Sequence, residues 1–183
     1  MIWIVIGAVV VFLILAYTAV TYNGLINLKN KVNDQWSQID VELKRRFDLI
    51  PNLVNTVKGY AKHEQETLEN VIKARNTYLS AGTKEQAMDA DNALTDAINK
   101  LFALAEAYPE LKANENFKDL QANLKDTEDK ISFARKFYND TALQMNNKVE
   151  MFPSNIVAKL FHFNKVEFFK VNESERENVK VDF

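Results

Sequence analysis

The chain opens with 22 residues that contain no charged side chain, MIWIVIGAVVVFLILAYTAVTY. A helix of about 20 apolar residues is long enough to cross the roughly 30 Å hydrocarbon layer of a bilayer. A cleaved signal peptide would carry a positive region before the apolar run and a small-residue cleavage site after it, and neither is evident. A core helix would keep a polar face. Residues 1–22 are therefore predicted to be an uncleaved transmembrane anchor, with Trp3, Tyr17 and Tyr22 at its two interfaces.

The cations beside this segment predict its orientation. No Lys or Arg precedes the span, whereas Lys29 and Lys31 follow it closely. Cytoplasmic flanks of membrane helices carry an excess of Lys and Arg. We therefore predict a single-pass protein with the bulk of the chain in the cytoplasm.

The composition of the 183 residues supports a folded helical domain. Hydrophobic residues make up 47% and charged residues 26%, which is enough apolar material for a core. Only four Gly and three Pro occur, which favours an all-α fold over a glycine-bent sheet. The net charge of −2 gives no support to a nucleic-acid partner. The absence of Cys excludes disulfides, thiolate metal ligands and a cysteine nucleophile.

Past residue 22, apolar side chains recur every three or four residues, which is the spacing of one face of an α-helix. The first stripe runs from Leu25 to Phe47, and the most regular one runs from Phe117 to Phe152. The breaks between stripes are too frequent for a single long coiled coil. We predict an antiparallel up-and-down four-helix bundle over residues 23–152, after the membrane helix. The predicted helices cover residues 24–47, 51–81, 84–107 and 114–152.

Local signals for helix ends support these bounds. Thr83, with Gln86 three residues later, forms a capping-box pattern at the start of the third helix. Pro109 follows the end of that helix, and either Asn114 or Asn116 can cap the fourth.

Pro51 interrupts a stripe that otherwise continues on both sides of it. Proline is tolerated in the first turn of a helix, where its missing N–H has no partner in any case. A tight turn at residues 48–51, with Asp48 as the cap, also gives helices of better matched length. We therefore predict a turn between two helices, with a kink in one continuous helix as the alternative.

The cationic triplet Lys44-Arg45-Arg46 precedes this predicted turn. At the membrane-distal end of the first helix it would lie more than about 30 Å from the bilayer, well beyond a Debye length of roughly 8 Å. Binding to lipid of its own membrane is thereby excluded, which leaves a solvated helix end or a contact for an acidic partner or a neighbouring copy. The candidate partner or oligomer contacts are Lys44, Arg45, Arg46, Asp48 and Pro51.

Residues 153–183 form an amphipathic segment and a C-terminal tail. The stretch FPSNIVAKLFHFNKVEFF is rich in aromatic residues, and four up-and-down passes would return it towards the membrane. It can lie in the bilayer interface or cover the open end of the bundle. The tail beyond it fits either a hairpin or an ordered segment packed on the bundle. The candidate membrane contacts are Ile156, Leu160, Phe161, Phe163, Phe168 and Phe169.

Residue patterns for catalysis are missing. The stretch HEQET lacks the second histidine of a zinc-protease motif, and neither His63 nor His162 belongs to a Glu-x-x-His pair. Phosphate-binding loops and nucleophile elbows are also missing. Glu64, Glu66 and Glu69 beside His63 fit a solvated helix face better than a metal site. We predict no catalytic, cofactor-binding or metal-binding residues and identify no small-molecule substrate.

Two long stretches resemble the LemA family of bacterial membrane-anchored proteins. They are YNGLINLKNKVNDQWSQIDVELKRRFDLIPNLVNTVKGYAKHEQETLENVIKAR (22–75) and LAEAYPELKANENFKDLQANLKDTEDKISFARKFYNDTALQMNNKVEMFPSNIVAKLF (104–161). The resemblance implies an anchored four-helix bundle at the bacterial cytoplasmic (inner) membrane, and it brings no catalytic residues. The positions that carry the family pattern, with no role attached, are Trp36, Asp40, Arg45, Arg46, Asp48, Pro51, Asn52, His63, Glu64, Glu106, Tyr108, Pro109, Tyr138 and Asn139.

The sequence departs from the family pattern at one place that bears on structure. Members of the family usually have Gly-Phe where this chain has His162-Phe163, which implies a variant turn or end-cap there.

Three functions follow as hypotheses. The first is a non-enzymatic, membrane-tethered scaffold that self-associates or organises partner proteins or the membrane. The second is an adaptor of a membrane protease or envelope-stress system. The third, a metal-dependent enzyme, has the least support from the residues.

Overall fold

A computed structural model describes residues 1–169, and within this part of the chain all regular secondary structure is helical and no strand occurs. The all-α prediction is therefore confirmed for these residues. The tail predicted as a hairpin or a packed segment lies, from residue 170, outside the described residues. The helices are α1 (Ile2–Lys58), α2 (Gln65–Leu79), α3 (Lys84–Ala105), α4 (Pro109–Ala113), α5 (Glu115–Glu150) and α6 (Ser154–Leu160).

The described residues divide into two compact units. Unit 1 comprises residues 1–38 and 134–168, and unit 2 comprises residues 39–133 together with Phe169. The two longest helices, α1 and α5, contribute to both units.

Pro51 lies inside α1, so the predicted turn at residues 48–51 is wrong and one helix continues through it. A proline in a helix interior cannot donate the hydrogen bond to the carbonyl four residues earlier. Here that carbonyl belongs to Phe47, and it accepts a hydrogen bond from Arg75 Nε on α2 at 3.2 Å. The arginine supplies the donor that the proline lacks. Asp48 consequently lies within the helix and is not a cap.

The chain break that was expected at Pro51 occurs after Lys58. Residues 59–64 form turns, in which the N–H of Gly59 donates to the Thr56 carbonyl and that of Ala61 to the Val57 carbonyl. Ala61 is fully buried, so this connection is fixed in the core. The predicted helices over 24–47 and 51–81 are thus replaced by α1 and α2.

The other helix ends follow the predicted signals more closely. The N–H of Gln86 donates to Thr83 Oγ1 at 3.2 Å, and Gln86 Oε1 accepts from the N–H of Gly82 at 2.9 Å. Asn114 Oδ1 accepts from the N–H of Phe117 at 3.0 Å and caps α5. The short helix α4, with Pro109 in its first turn, was not predicted.

The core of unit 2 is built from the predicted stripes. The ring of Phe47 on α1 packs against that of Tyr78 on α2 with centroids 4.1 Å apart. Phe102 on α3 and Phe117 on α5 meet edge to face at 6.2 Å. Fully buried side chains from the helices of this unit include Ile39, Leu43, Ile50, Leu53, Val57, Val71, Leu94, Leu101, Leu111 and Ile131.

A double-mutant cycle tests how Pro51 is accommodated. We expect Arg75→Ala to lower the free energy of unfolding by about 1–3 kcal/mol, because the Phe47 carbonyl loses its donor. In a Pro51→Ala background, residue 51 supplies an N–H, so the same change should cost less. Urea unfolding of the full chain in detergent, followed by circular dichroism, measures both costs.

The matched control is Lys73→Ala, an exposed position on the same helix, which should change stability by less than about 0.5 kcal/mol in either background. Equal costs of Arg75→Ala with and without Pro51 would show that the arginine does not replace the missing donor.

Candidate membrane-proximal site

The three cationic residues of the predicted partner contact differ in burial. Arg46 is buried, with 2% of its surface exposed, whereas Lys44 and Arg45 are exposed. The triplet does not end a helix, because α1 continues past it to Lys58. A solvated helix end is therefore the wrong description of Arg46.

Arg46 is the centre of a polar cluster inside unit 2. Its Nη1 lies 3.1 Å from Asp91 Oδ1 and 2.7 Å from Glu128 Oε2. Its Nη2 donates to Thr95 Oγ1 at 3.0 Å. Asp91 is fully buried, and the Thr95 hydroxyl donates to the Asp91 backbone carbonyl at 3.1 Å. One guanidinium thus joins α1 to α3 and α5.

The remaining candidates near this cluster face solvent. Arg45 Nη1 lies 3.5 Å from Asp126 Oδ2 in an exposed ion pair of small energetic value, and 3.9 Å from Oε2 of the half-buried Glu42. Asp48 and Pro51 are exposed on α1. A partner contact through Lys44 and these exposed neighbours stays a prediction.

Two tyrosines of unit 2 hold acidic side chains. The Tyr78 hydroxyl donates to Asp40 Oδ1 at 3.0 Å, and burial, followed by this hydrogen bond, raises the pKa of Tyr78 far above its usual value. The Tyr108 hydroxyl donates to Glu64 Oε1 at 3.2 Å, and desolvation with that bond raises the pKa of Tyr108. Both acidic residues carry the family pattern, and both act here as structural acceptors.

The chemistry available around these residues is limited. Within residues 1–169, no group of three or more His, Asp or Glu side chains is arranged to hold a metal ion. Glu64 is engaged by Tyr108, and Glu69 Oε1 accepts from Gln65 Nε2 at 2.8 Å. A cavity of about 380 Å³ beside Arg46 has Phe102 and Leu124 among its lining residues.

In unit 1, the end of the apolar segment contacts the aromatic residues that follow α6. The ring of Tyr22 lies 4.7 Å from that of Phe161 and 5.8 Å from that of Phe163. The 18-residue apolar window within α1 has a mean hydropathy of 2.6, and none of it is buried inside the protein. These contacts join α6 to the end of the candidate membrane span.

Most of the predicted membrane contacts are exposed on unit 1. Ile156 and Leu160 on α6 are 59% and 64% exposed, and Phe161 and Phe168 are also exposed. Phe163 is half-buried. Phe169, in contrast, is buried in unit 2 and presents no surface to a bilayer.

The connection between α5 and α6 adds two apolar residues that the sequence reasoning did not select. Met151 and Phe152 are 62% and 79% exposed, and they line a groove of about 470 Å³ together with Tyr17 from the apolar segment. The signal that could have found them is a pair of apolar residues directly before Pro153. We call Met151, Phe152, Ile156 and Leu160 the apolar rim.

Residues 163–168 of unit 1 have no regular secondary structure, and we call them the strap. Asn146 is buried, and its side-chain amide pairs with both backbone groups of Val166, donating to the carbonyl at 2.9 Å and accepting from the N–H at 2.8 Å. The Tyr138 hydroxyl donates to the Glu167 carbonyl at 3.1 Å, and the Tyr138 ring meets Trp36 edge to face. Lys165 forms an ion pair with Glu150.

The turn between α6 and the strap has a left-handed residue. His162 has φ 56°, in the region that favours glycine. The N–H of Phe163 donates to the Ala158 carbonyl at 2.9 Å and that of His162 to the Lys159 carbonyl at 3.3 Å, which is the Schellman arrangement. The departure from Gly-Phe noted in the sequence thus falls on the residue that takes this conformation.

The described residues therefore define an all-helical protein with one N-terminal helix apolar enough to cross a membrane. The LemA family model matches residues 35–183, and the chain belongs to that family. It is 27% identical over 161 residues to Protein LemA of Metamycoplasma hominis, which covers 86% of this chain and 72% of that protein. It is 24% identical over 192 residues to Magnetosome protein MamQ 2 of Paramagnetospirillum magneticum, which covers 91% and 71% of the two chains.

The buried arginine yields a stability prediction. Arg46→Leu should lower the free energy of unfolding by about 3–5 kcal/mol, because it leaves the Asp91 carboxylate buried without its cation. Arg46→Lys should fall between wild type and Leu, since an ammonium cannot reproduce the planar fork. Urea unfolding of the full chain in detergent measures these differences.

The control for this prediction is Arg45→Ala, which removes an exposed ion pair with Asp126 and a long one with the half-buried Glu42, and should cost about 0–1 kcal/mol. Adding Asp91→Asn to Arg46→Leu should recover part of the loss. A cost of Arg46→Leu no larger than that of Arg45→Ala would contradict a structural role of the cluster.

Proposed function

We propose that this LemA-family protein is a non-catalytic scaffold, tethered to the bacterial cytoplasmic membrane by residues 1–22, that self-associates and organises partner proteins or the membrane. The bulk of the chain lies in the cytoplasm, as the cations after the span predict. Family membership and the long, unburied apolar segment of α1 support the tether.

The observation that carries this proposal is the apolar rim beside the end of the anchor. Contiguous exposed apolar surface on a folded protein commonly marks a membrane or protein contact. Tyr17 and Tyr22, which contribute to the groove and the aromatic cluster, stand where interfacial aromatic residues of a membrane helix are expected. We infer that the rim enters the bilayer interface and fixes the domain close to the membrane.

The charges around the rim fit the same arrangement. Lys148 and Lys159 lie in the last turns of α5 and α6. Cationic side chains beside apolar ones favour contact with anionic lipid headgroups. Burying a large apolar side chain is worth about 1.5–3 kcal/mol when it is complete, so even partial insertion of four residues adds usefully to the anchor.

We further infer that the helices beyond the anchor form an antiparallel up-and-down four-helix bundle made of α1, α2, α3 and α5. The contacts of Arg46 with α3 and α5, and of Phe47 with Tyr78 on α2, support this arrangement. The polar residues described here form hydrogen bonds and ion pairs between helices. Such a structural role fits a scaffold better than an enzyme. The names of the relatives, LemA and a magnetosome protein, state no reaction.

Fluorophore labelling tests the position of the rim. The chain has no cysteine, so Ile156→Cys provides a single site for an environment-sensitive dye. In vesicles containing anionic lipid, we expect the dye at residue 156 to shift to the blue and to be quenched by a quencher attached to lipid chains. The same dye at Asp34→Cys, an exposed position of α1 about 18 Å along the helix from Tyr22, should show neither effect. Equal quenching at both positions, or none at residue 156, would contradict the interface contact.

The orientation is tested with the Asp34→Cys variant in intact cells. A membrane-impermeant maleimide should leave this cysteine unlabelled until the cytoplasmic membrane is permeabilised, because the chain after residue 22 is proposed to lie in the cytoplasm. Labelling while the cytoplasmic membrane is still intact would place residue 34 on the outer side of that membrane. The proposed orientation of the chain would then be wrong.

A further inference from the structure

The strap of residues 163–168 is recognised mainly through its backbone. The buried Asn146 amide pairs with the N–H and the carbonyl of Val166, and Tyr138 binds the Glu167 carbonyl. The amide thus offers one donor and one acceptor to the backbone of the same residue, which is how a neighbouring β-strand binds. This pairing does not depend on the side chain of the bound residue. This surface of unit 1, which we call the clamp, therefore holds the strap mainly by its backbone groups.

The hinge that delivers the strap to its own clamp is strained. A residue with a Cβ pays about 1–2 kcal/mol for the left-handed conformation, which corresponds to a factor of about 5 to 30 in population. His162 takes this conformation at φ 56°, directly between α6 and the strap. Docking of the strap on the clamp of its own chain therefore costs the free energy of the left-handed conformation. A chain in which His162 leaves that conformation does not have this cost.

We propose that the clamp also binds the strap of a second copy, so that neighbouring molecules exchange residues 163–168. This inference rests on the self-association in the proposed function. The exchanged form repeats the described contacts of residues 163–168, including the edge-to-face contact of Phe163 with Tyr22, while His162 relaxes into an extended conformation. Short strained hinges favour such swapping. Tethering to one membrane raises the effective concentration of the second copy and reduces the cost of association.

Complementary charge variants detect the exchange directly. Lys165 and Glu150 form an ion pair between strap and clamp, and a carbodiimide can join them as an amide. One copy carries Lys165→Gln and the other carries Glu150→Gln, so an amide between positions 150 and 165 can form only between copies. Both side chains are more than half exposed, so each change should affect folding little.

The expected result, in membranes from cells that express both copies, is a covalent dimer in which mass spectrometry finds the Glu150–Lys165 peptide pair. Each variant expressed alone must give no such pair. The amide between Lys130 and Asp126, which form an ion pair one turn apart on α5, serves as a reaction control in every sample. If the wild type forms the 150–165 amide only within monomers and the mixed copies form none, the exchange is overturned.

Two hinge variants separate exchange from mere proximity of neighbours. His162→Gly removes the strain of the docked form and should lower the yield of the intermolecular amide by about 5- to 30-fold for each hinge. His162→Ala keeps a Cβ and should behave as wild type. Equal yields for Gly and Ala would show that the hinge does not drive exchange and would contradict the proposal.

The size of the wild-type assembly in nanodiscs distinguishes this inference from the proposed function. Oligomers without an intermolecular 150–165 amide would leave the scaffold standing and remove the strap exchange. Monomers alone at every protein-to-lipid ratio would remove self-association itself, and the exchange with it.

Discussion

The burial of one guanidinium constrains unit 2 more than any apolar contact does. A guanidinium group carries a charge that is costly to bury, so Arg46 can leave water only where acceptors surround it. The acceptors come from two other helices and belong to Asp91, Thr95 and Glu128. Each of them reaches the guanidinium only when its helix has one particular rotation and one position along its axis. Apolar stripes tolerate sliding, whereas this cluster does not. We therefore regard Arg46 as the residue that sets the register of α1 against α3 and α5.

The sequence was sufficient for features whose cause is local. The apolar span, the helical stripes and the cap at Thr83 depend on residues a few positions apart and follow from the sequence, which also offers Asn114 as one of two caps for α5. Pro51 was misread because its tolerance depends on Arg75, which is distant in the chain and meets the Phe47 carbonyl only in the folded protein. The general rule that proline ends a helix holds when no other donor reaches the orphaned carbonyl.

The candidate site shows the same division. The apolar character of residues 152–163 is visible in the sequence, but exposure and burial are not, so Met151 and Phe152 were missed while the buried Phe169 was included. The sequence does not distinguish the three cationic residues 44–46 from one another. Only tertiary packing separates the buried Arg46 from its solvated neighbours. Asp40 and Glu64, two family-pattern positions to which the sequence attaches no role, accept hydrogen bonds from tyrosines.

The conformation of His162 bears on the proposed exchange of the strap. A glycine at this position would form the same Schellman turn without the Cβ penalty, yet this chain carries a residue that the left-handed region disfavours. The hydrogen bonds of the turn and the Asn146 clamp together hold the strained conformation. The free energy stored at the hinge is small beside those contacts, so the strap stays docked on a clamp. The same free energy favours docking on a neighbour's clamp over docking on the chain's own, because the two states share the other described contacts of residues 163–168.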